Sequence, residues 1–328
     1  MATIIKPSQT IALSAKETNT LFYEPIFMEM YQSDIFKIML NVKNTAKFGF
    51  IRPLERILQA KTGCGFTPIG SMSVYDREVQ VYPFKINVEL CVDVFKDTIL
   101  DNLMNRGLRM NDLTGTVLLQ ITLDVLKSAA VKDIYNLVWF GNRASTDTAI
   151  NFVDGLWSVH IPQLIANNLV PVFDTNSGVA LTAGDGLAYI EGVVKNSDIL
   201  LGMLPKASKR IHVTGKIWDQ YETDLIALGG GDAGRTQLID GSTVLTYKGI
   251  PVIPNWSWDE YDENVLGLQN EHRILFTVKE NLVIATDILG TETSFLTWYD
   301  EKEEMNYIKS VGDLGTNYVH PKLMSIGL

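Results

Sequence analysis

Gly229-Gly-Gly-Asp-Ala-Gly234 is the stretch whose spacing comes nearest to known chemistry, because it fits the G-x-G-x-x-G pattern of dinucleotide binding. In that pattern the glycines let backbone N–H groups close on a pyrophosphate, which sits at the N-terminus of the following helix. The chemistry therefore needs a strand before the glycines and a helix after them. Here a helix-like segment, 216–228, precedes them and a polar stretch follows, so a surface loop is the better reading. No P-loop, nucleophile elbow or His-Glu-x-x-His is present.

The other reactive residue types are scattered. His160, His212, His272 and His320 have no ligand-like spacing, and His212, within an apolar run, reads as a buried structural residue. Cys64 and Cys91 form no Cys-x-x-Cys pair and read as two buried reduced thiols. Asn255-Trp-Ser257 fits the glycosylation sequon but carries little meaning without a secretion signal. Two acidic clusters stand out, Asp259-Glu-Tyr-Asp-Glu263 and Asp300-Glu-Lys-Glu-Glu304. A divalent cation needs carboxylates that converge. Consecutive carboxylates in a turn point apart, so both clusters read as solvated surface. The subordinate reading is a charged contact with Lys206, Lys209 and Arg210 of a neighbouring copy. Trp256, Trp258 and Trp298 read as core or interface packing ahead of stacking platforms. Nothing assembles a nucleophile, a base and an oxyanion hole; no catalytic, cofactor-binding or metal residue is assigned, and no cofactor.

The elements that would position any site are clearer. Phe84, Ile86, Val88, Leu90, Val92 and Val94 alternate with polar residues and Cys91, which predicts one long strand after Pro83 with one buried face. Residues 112–139 contain no proline and repeat apolar residues at helical spacing, which predicts a helix about 42 Å long whose regular part begins near Thr116. Gly141 stands where a cap glycine belongs. The rows Val117/Ile121/Val125/Ala129 and Leu126/Ala130/Ile134/Val138 both read as buried, so Val125→Asp is expected to unfold the chain. A long helix along a long strand makes a rod and no pocket.

Around these, the first 55 or so residues read as an arm with a few helical turns, dense in Phe22, Tyr23, Phe27, Met28, Met30 and Tyr31. Such residues need a surface to bury against, in this chain or a neighbour. The glycine-rich run from Thr62 to Gly70, leading into Val79-Gln-Val-Tyr82, predicts a projecting hairpin or loop. From Gly155 to about Asn270 shorter elements alternate: helices near 187–200 and 216–228, and strands at 210–214, 244–247 and 250–253. This alternation predicts a second α/β domain. Ile274 to Val278 and Leu282 to Ala285 flank three residues and read as a hairpin; 295–299 and 306–309 flank the second acidic cluster and read as another.

The chain has 328 residues, 46% hydrophobic and 20% charged, which excludes disordered, collagen-like and disulfide-scaffold classes. Its 28 basic against 38 acidic side chains give a net charge of −10, which argues against a dedicated nucleic-acid binder. No signal-peptide pattern and no apolar run near ~20 residues is present, so the expectation is a soluble product without membrane association, made inside the cell.

The order of these parts resembles the major capsid proteins of tailed bacteriophages, the Hong Kong ninety-seven type shell fold. Asp133-Ile-Tyr-Asn-Leu-Val-Trp-Phe-Gly141 and Asp154-Gly-Leu-Trp157 look like the end of that family's spine helix and the crossing into its axial domain. Tyr247-Lys-Gly-Ile-Pro-Val-Ile253, Ile274-Leu-Phe-Thr-Val278 and Asn281-Leu-Val-Ile284 look like the exit from it, and Gly315-Thr-Asn-Tyr-Val-His-Pro321 like the last peripheral strand.

The resemblance implies an α+β fold with these parts: an N-terminal arm (1–61), an extended loop (62–83), a peripheral domain with the spine helix (84–154), an axial domain (155–270) and a peripheral return (271–328). It implies a non-enzymatic subunit that self-assembles as hexamers and pentamers into an icosahedral head. Its partners would be portal and scaffolding proteins and non-specifically packaged double-stranded DNA, and its location the virion, after synthesis in the host bacterial cytoplasm. Deleting 62–83 is then expected to leave a folded subunit that assembles poorly. The alternatives are an encapsulin-like bacterial compartment with the same fold, and a soluble nucleotide-binding α/β enzyme using 229–234. An acidic wall fits a container that must not cling to its DNA.

Overall fold

The computed structural model describes residues 10–12, 36–52, 58, 60, 73–91, 93, 112–113, 117–228, 235–237, 243–287 and 295–328. Its strands form three sheets. A six-stranded sheet contains β1 (Thr10–Ala12), β13 (Phe295–Asp300), β14 (Met305–Tyr318), β12 (Leu282–Ala285) and β2 (Phe36–Met39) in that order, with β5 (Tyr82–Cys91) paired to β14. A seven-stranded sheet runs β6 (Val172–Phe173), β15 (Met324–Gly327), β11 (Ile274–Val278), β7 (Lys209–Thr214), β10 (Ile250–Asn255), β9 (Thr243–Tyr247), β8 (Arg235–Gln237). The third is an antiparallel ladder of β3 (Thr45–Arg52) and β4 (Ser73–Gln80).

As far as Cys91 the alternating segment is the strand β5; Val92 and Val94 lie outside the described residues. Phe84, Ile86, Val88 and Leu90 are half-buried and Lys85, Asn87 and Glu89 exposed, as a period of two demands. It starts one residue before Pro83, which sits in the strand opposite Asp313. Its partner β14 is 14 residues, about 48 Å, and binds β13 and β5 along one stretch and β12 further on.

The long helix is α1 (Val117–Phe140), 24 residues or about 36 Å. Ala130, Ile134, Leu137 and Val138 are buried in the main core. The row before them is not: Ile121 is 37% and Val125 63% exposed. The two rows lie about 100° apart around the helix, and one helix presents one stripe to the layer beneath it. Val125 therefore belongs to the outer face, correcting the expectation of a buried row. At the C-terminal end, Gly141 N–H closes on Leu137 O at 2.9 Å and Gly155 N–H on Gly141 O at 2.7 Å. A Cβ on Gly141 would lie 2.5 Å from Val153 O, so the chain turns back there only because the side chain is missing.

After the π-turn Leu156–His160 comes α2 (Ile161–Ala166). The expected helix at 187–200 is two helices, α3 (Asp185–Lys195) and α4 (Ile199–Met203), because Asp198 caps a new N-terminus by accepting from Leu200 N–H at 2.8 Å. α5 (Gly215–Ala227) and α6 (Trp256–Asn264) complete the described helices.

The hairpin expected at 274–285 does not form. β11 pairs with β7 and β15 in one sheet, whereas β12 pairs with β14 and β2 in the other. Every residue of both strands is buried, so each needs a partner on both edges and cover on both faces; pairing with each other would leave that unmet. The turn between them, with Glu280 at φ 60, is a crossing from one sheet to the other. The expected second hairpin does form, Asp300 opposite Met305 across the acidic turn. Of the segment read as the last peripheral strand, residues 315–318 are the end of β14 and Pro321 opens a short turn, and the last described strand, β15, joins the seven-stranded sheet between β11 and β6.

One core lies between the two large sheets, built from the C-terminal half of α1, residues 156–164, Trp258 and Tyr261 of α6, and Leu275, Leu282, Ile284, Met324 and Ile326. A second packs α3 and α5 on the other face of the seven-stranded sheet, around Ile190, Ile211, Val213, Ile217 and Phe276. A small third core joins Val79 and Val81 to Val283 and Ala285. Val79 and Val81 lie inside 62–83, so deleting that segment strips a core and does not leave an untouched body.

Candidate functional site

The acidic segment 259–263 is part of α6, where successive side chains turn by 100° and its four carboxylates face different neighbours. Asp262, 1% exposed, accepts from Arg273 Nε at 2.8 Å and Nη2 at 2.9 Å, a two-pronged pair. The same guanidinium lies 5.4 Å from the Trp157 ring centre and 5.6 Å from that of Phe140. Asp259 accepts the Gly215 N–H at the first turn of α5. Burial pushes its carboxyl up to about 6, against the lowering effect of that N–H. Glu260 pairs with Lys132 of α1, and Glu263 with Lys216 of α5. The cluster thus ties α6 to α1, to α5 and to Arg273 just before β11; its reading as solvated surface holds for the exposed Glu260 and Glu263 and is corrected for Asp259 and Asp262, which are drawn inward. The legible signal was the spacing of Trp258 and Tyr261, which marks a buried stripe that Asp262 adjoins.

Around Arg273 the aromatic rings pack edge to face. Trp258 lies 4.7 Å from Trp139 and 5.3 Å from Trp157, and Phe140 stacks on Tyr261 at 4.3 Å. Trp256 is half exposed over Gly215, and Trp298 stacks on Tyr307 at 5.3 Å. These are packing roles.

The histidines are far apart in their surroundings as well as in sequence. His212 is buried in β7 with Nδ1 3.2 Å from Asn255 Nδ2, while Asn255 Oδ1 accepts from Tyr135 Oη at 2.7 Å. Burial drives the His212 imidazole down to about 3, so it stays neutral. The sequon residue Asn255 is thereby buried within a polar network. His272 Nε2 lies 2.8 Å from the Val179 carbonyl, and a carbonyl only accepts, so Nε2 carries the proton. Burial also lowers His160, which lies edge-on to Tyr318 at 6.1 Å. His320 Nδ1 accepts from Lys322 N–H. Cys91 is a free, half-buried thiol, and Cys64 and Gly229–Gly234 lie outside the described residues. The glycines follow helix α5 and precede strand β8, the reverse of a phosphate-binding order. Among the described residues no group of three or more His, Cys, Asp or Glu side chains converges as metal ligands. No helix among them is long and apolar enough to cross a membrane.

Large apolar side chains stand exposed on α1 (Val125), on α4 (Ile199, Met203), at the end of α5 (Ile226, Leu228) and after α6 (Val265, Leu266). Together with the β3–β4 ladder and the acidic β13–β14 turn, they give the molecule several separate places to meet other protein surfaces.

No protein-family model matches the sequence, and comparison with curated proteins finds no match. Solved structures do match. The capsid of Myoviridae phage XM1 superposes with a TM-score of 0.54 at 10% identity, covering 100% of this chain and 96% of that one. The capsid of cyanophage P-SCSP1u gives 0.52 at 11% identity over 90% and 86%. The SrpI encapsulin of Synechococcus elongatus gives 0.50 at 13% identity over 90% and 86%. The chain has the Hong Kong ninety-seven type shell fold, as its order of parts led one to expect.

Proposed function

We propose that this chain is the major capsid protein of a tailed phage, a structural subunit that assembles as hexamers and pentamers into an icosahedral head around double-stranded DNA. The observation that carries it is the superposition on the phage XM1 capsid along the whole of one chain and nearly the whole of the other. The dispersal of histidines and carboxylates into structural pairs supports a non-enzymatic role, and a net charge of −10 suits a wall that releases its DNA. On this reading residues 1–61 are the arm, 62–83 the extended loop, 84–154 and 271–328 the peripheral domain, and 155–270 the axial domain, the last also drawing on β11 and β15. Portal and scaffolding proteins would be its partners and the virion its place, after synthesis in the host cytoplasm.

The second reading, a bacterial compartment packing protein cargo, is favoured by the encapsulin superposition. Electron microscopy of the purified full chain tests both: closed shells are expected, alone or with a scaffold. A chain that stays monomeric under both conditions would refute them. Shells recovered from the native source with DNA inside support the first reading, and shells filled with a cargo protein the second.

A further inference from the structure

The excess of acid over base is unevenly distributed. α4 is a single turn whose Ile199 and Met203, four residues apart and on one side, are 80% and 78% exposed. The exposed Lys206 and Lys322 and the buried Lys209 lie near it. Lys209 donates Nζ to the Gly202 carbonyl at 3.0 Å, and Lys322 Nζ lies 3.8 Å from Asp198, the α4 cap. Lys206 donates to the Lys248 carbonyl at 2.8 Å. Burial, and then the charge of Lys206, hold the Lys209 ammonium below its ordinary range, so like charges crowd here. An apolar pair inside a charged rim is the anatomy of a protein interface, with the anchors excluding water and the rim selecting the partner.

The opposite charge gathers on the other large sheet. The β13–β14 turn carries Asp300, Glu301, Glu303 and Glu304 around one Lys302. Tyr307, bonded to Glu303 and near Glu89 and Asp300, is pushed up to about 12, which reports the same crowding. Beside the turn, the half-buried rings of Trp298 and Tyr307 stack on one another and brace it. Copies that each carry −10 repel one another unless unlike patches meet. A contact between two different patches is heterologous, and such contacts close into rings where the rotation between copies closes and run on as open filaments where it does not.

We propose that the α4 knob, Ile199 and Met203 within their lysine rim, is the docking surface for the acidic β13–β14 turn of a second copy of this chain. This rests on the self-assembly reading and names the contact that reading leaves unspecified. The test uses two full-length variants at exposed positions, Lys206→Glu with Lys322→Glu, and Glu301→Lys with Glu304→Lys, each checked for an unchanged melting temperature. Sedimentation velocity at low salt follows association. Each variant alone is expected to associate at least about tenfold more weakly than wild type, a loss of about 1.4 kcal/mol. Mixing the two restores an intact pair of patches and is expected to restore association, with the effect fading in high salt.

Wild-type association by either variant alone, or no recovery on mixing, overturns the docking. Normal self-association of the lysine variant with loss of duplex-DNA binding also overturns it, in favour of a polyanion on this patch. Recovery on mixing into open oligomers that never close into shells upholds the docking and removes the shell reading. Ile199→Ser with Met203→Ser, which leaves the charges in place, is expected to weaken association likewise; an unchanged constant would count against the apolar anchor.

Discussion

Asp259 is held partly buried against the first turn of α5, and its folded-state pKa of about 6 lies above the ordinary carboxylate value. The folded chain therefore binds this proton more tightly than the unfolded chain does. The resulting stability is present at low pH and is lost as pH rises through about 6. Asp259→Asn keeps an oxygen for the Gly215 N–H and removes the charge. It is expected to be more stable than the wild type at pH 7.5 by about 1 kcal/mol, after allowing for solvent screening, with the difference shrinking toward pH 5. Thermal midpoints of both proteins across that range measure it, and a pH-independent difference would show that burial of the charge is not the cause. His212 pulls the other way, since its depressed pKa withdraws stability as pH falls below the ordinary imidazole value. It is common to both proteins and cancels in the comparison.

Among the elements, α1 and the β3–β4 ladder carry the sharpest expectations. Val125→Asp places a charge on the outer face of α1 and should change stability by less than about 0.5 kcal/mol, whereas Ile134→Asp buries an unpaired charge and should leave no folded protein. Circular dichroism and soluble yield separate the two, and equal damage would mean that the helix packs by another face. The helix and strand β5 were legible because a long amphipathic period survives any tertiary context. Which of two adjacent helical rows is buried was not, because both are apolar and only the layer beneath chooses between them. In the ladder, Arg52 stands opposite Ser73, so an Asn-Gly turn replacing 53–72 can close the hairpin in register. That variant should melt with the wild type yet assemble poorly. Loss of folding would show that 53–72 belongs to the subunit's own core, and wild-type shells would show that no neighbour uses it.

At the scale of the whole molecule, the two large sheets share one core, with Leu275 and Met324 contributed by one and Leu282 and Ile284 by the other. Removing Met324 to Leu328 deletes β15, takes a partner from both β11 and β6 and opens that core. The truncated chain is expected to lose both layers in one cooperative transition and to accumulate as insoluble protein. A soluble product that retains the six-stranded sheet by hydrogen exchange would show that the layers fold separately. The shell resemblance was readable from the order of parts, since an arm, a loop, a long strand and a long helix follow one another along the chain. The candidate contact surface was only half readable. The acidic turn, Lys206 and Lys209 show in the sequence, but Lys322, over a hundred residues further on, is brought to the α4 cap only by folding.

The sequence by itself determined what depends on neighbours a few residues away: β5, α1, the β13–β14 hairpin and the net charge. Tertiary structure decided what depends on partners far along the chain. It separated β11 from β12 into two sheets, because fully buried strands must be hydrogen-bonded on both edges, and each finds its partners elsewhere. It also turned Asp262 from an apparently solvated acid into the buried partner of Arg273, because a charge can leave water only where an opposite charge is held within hydrogen-bond reach.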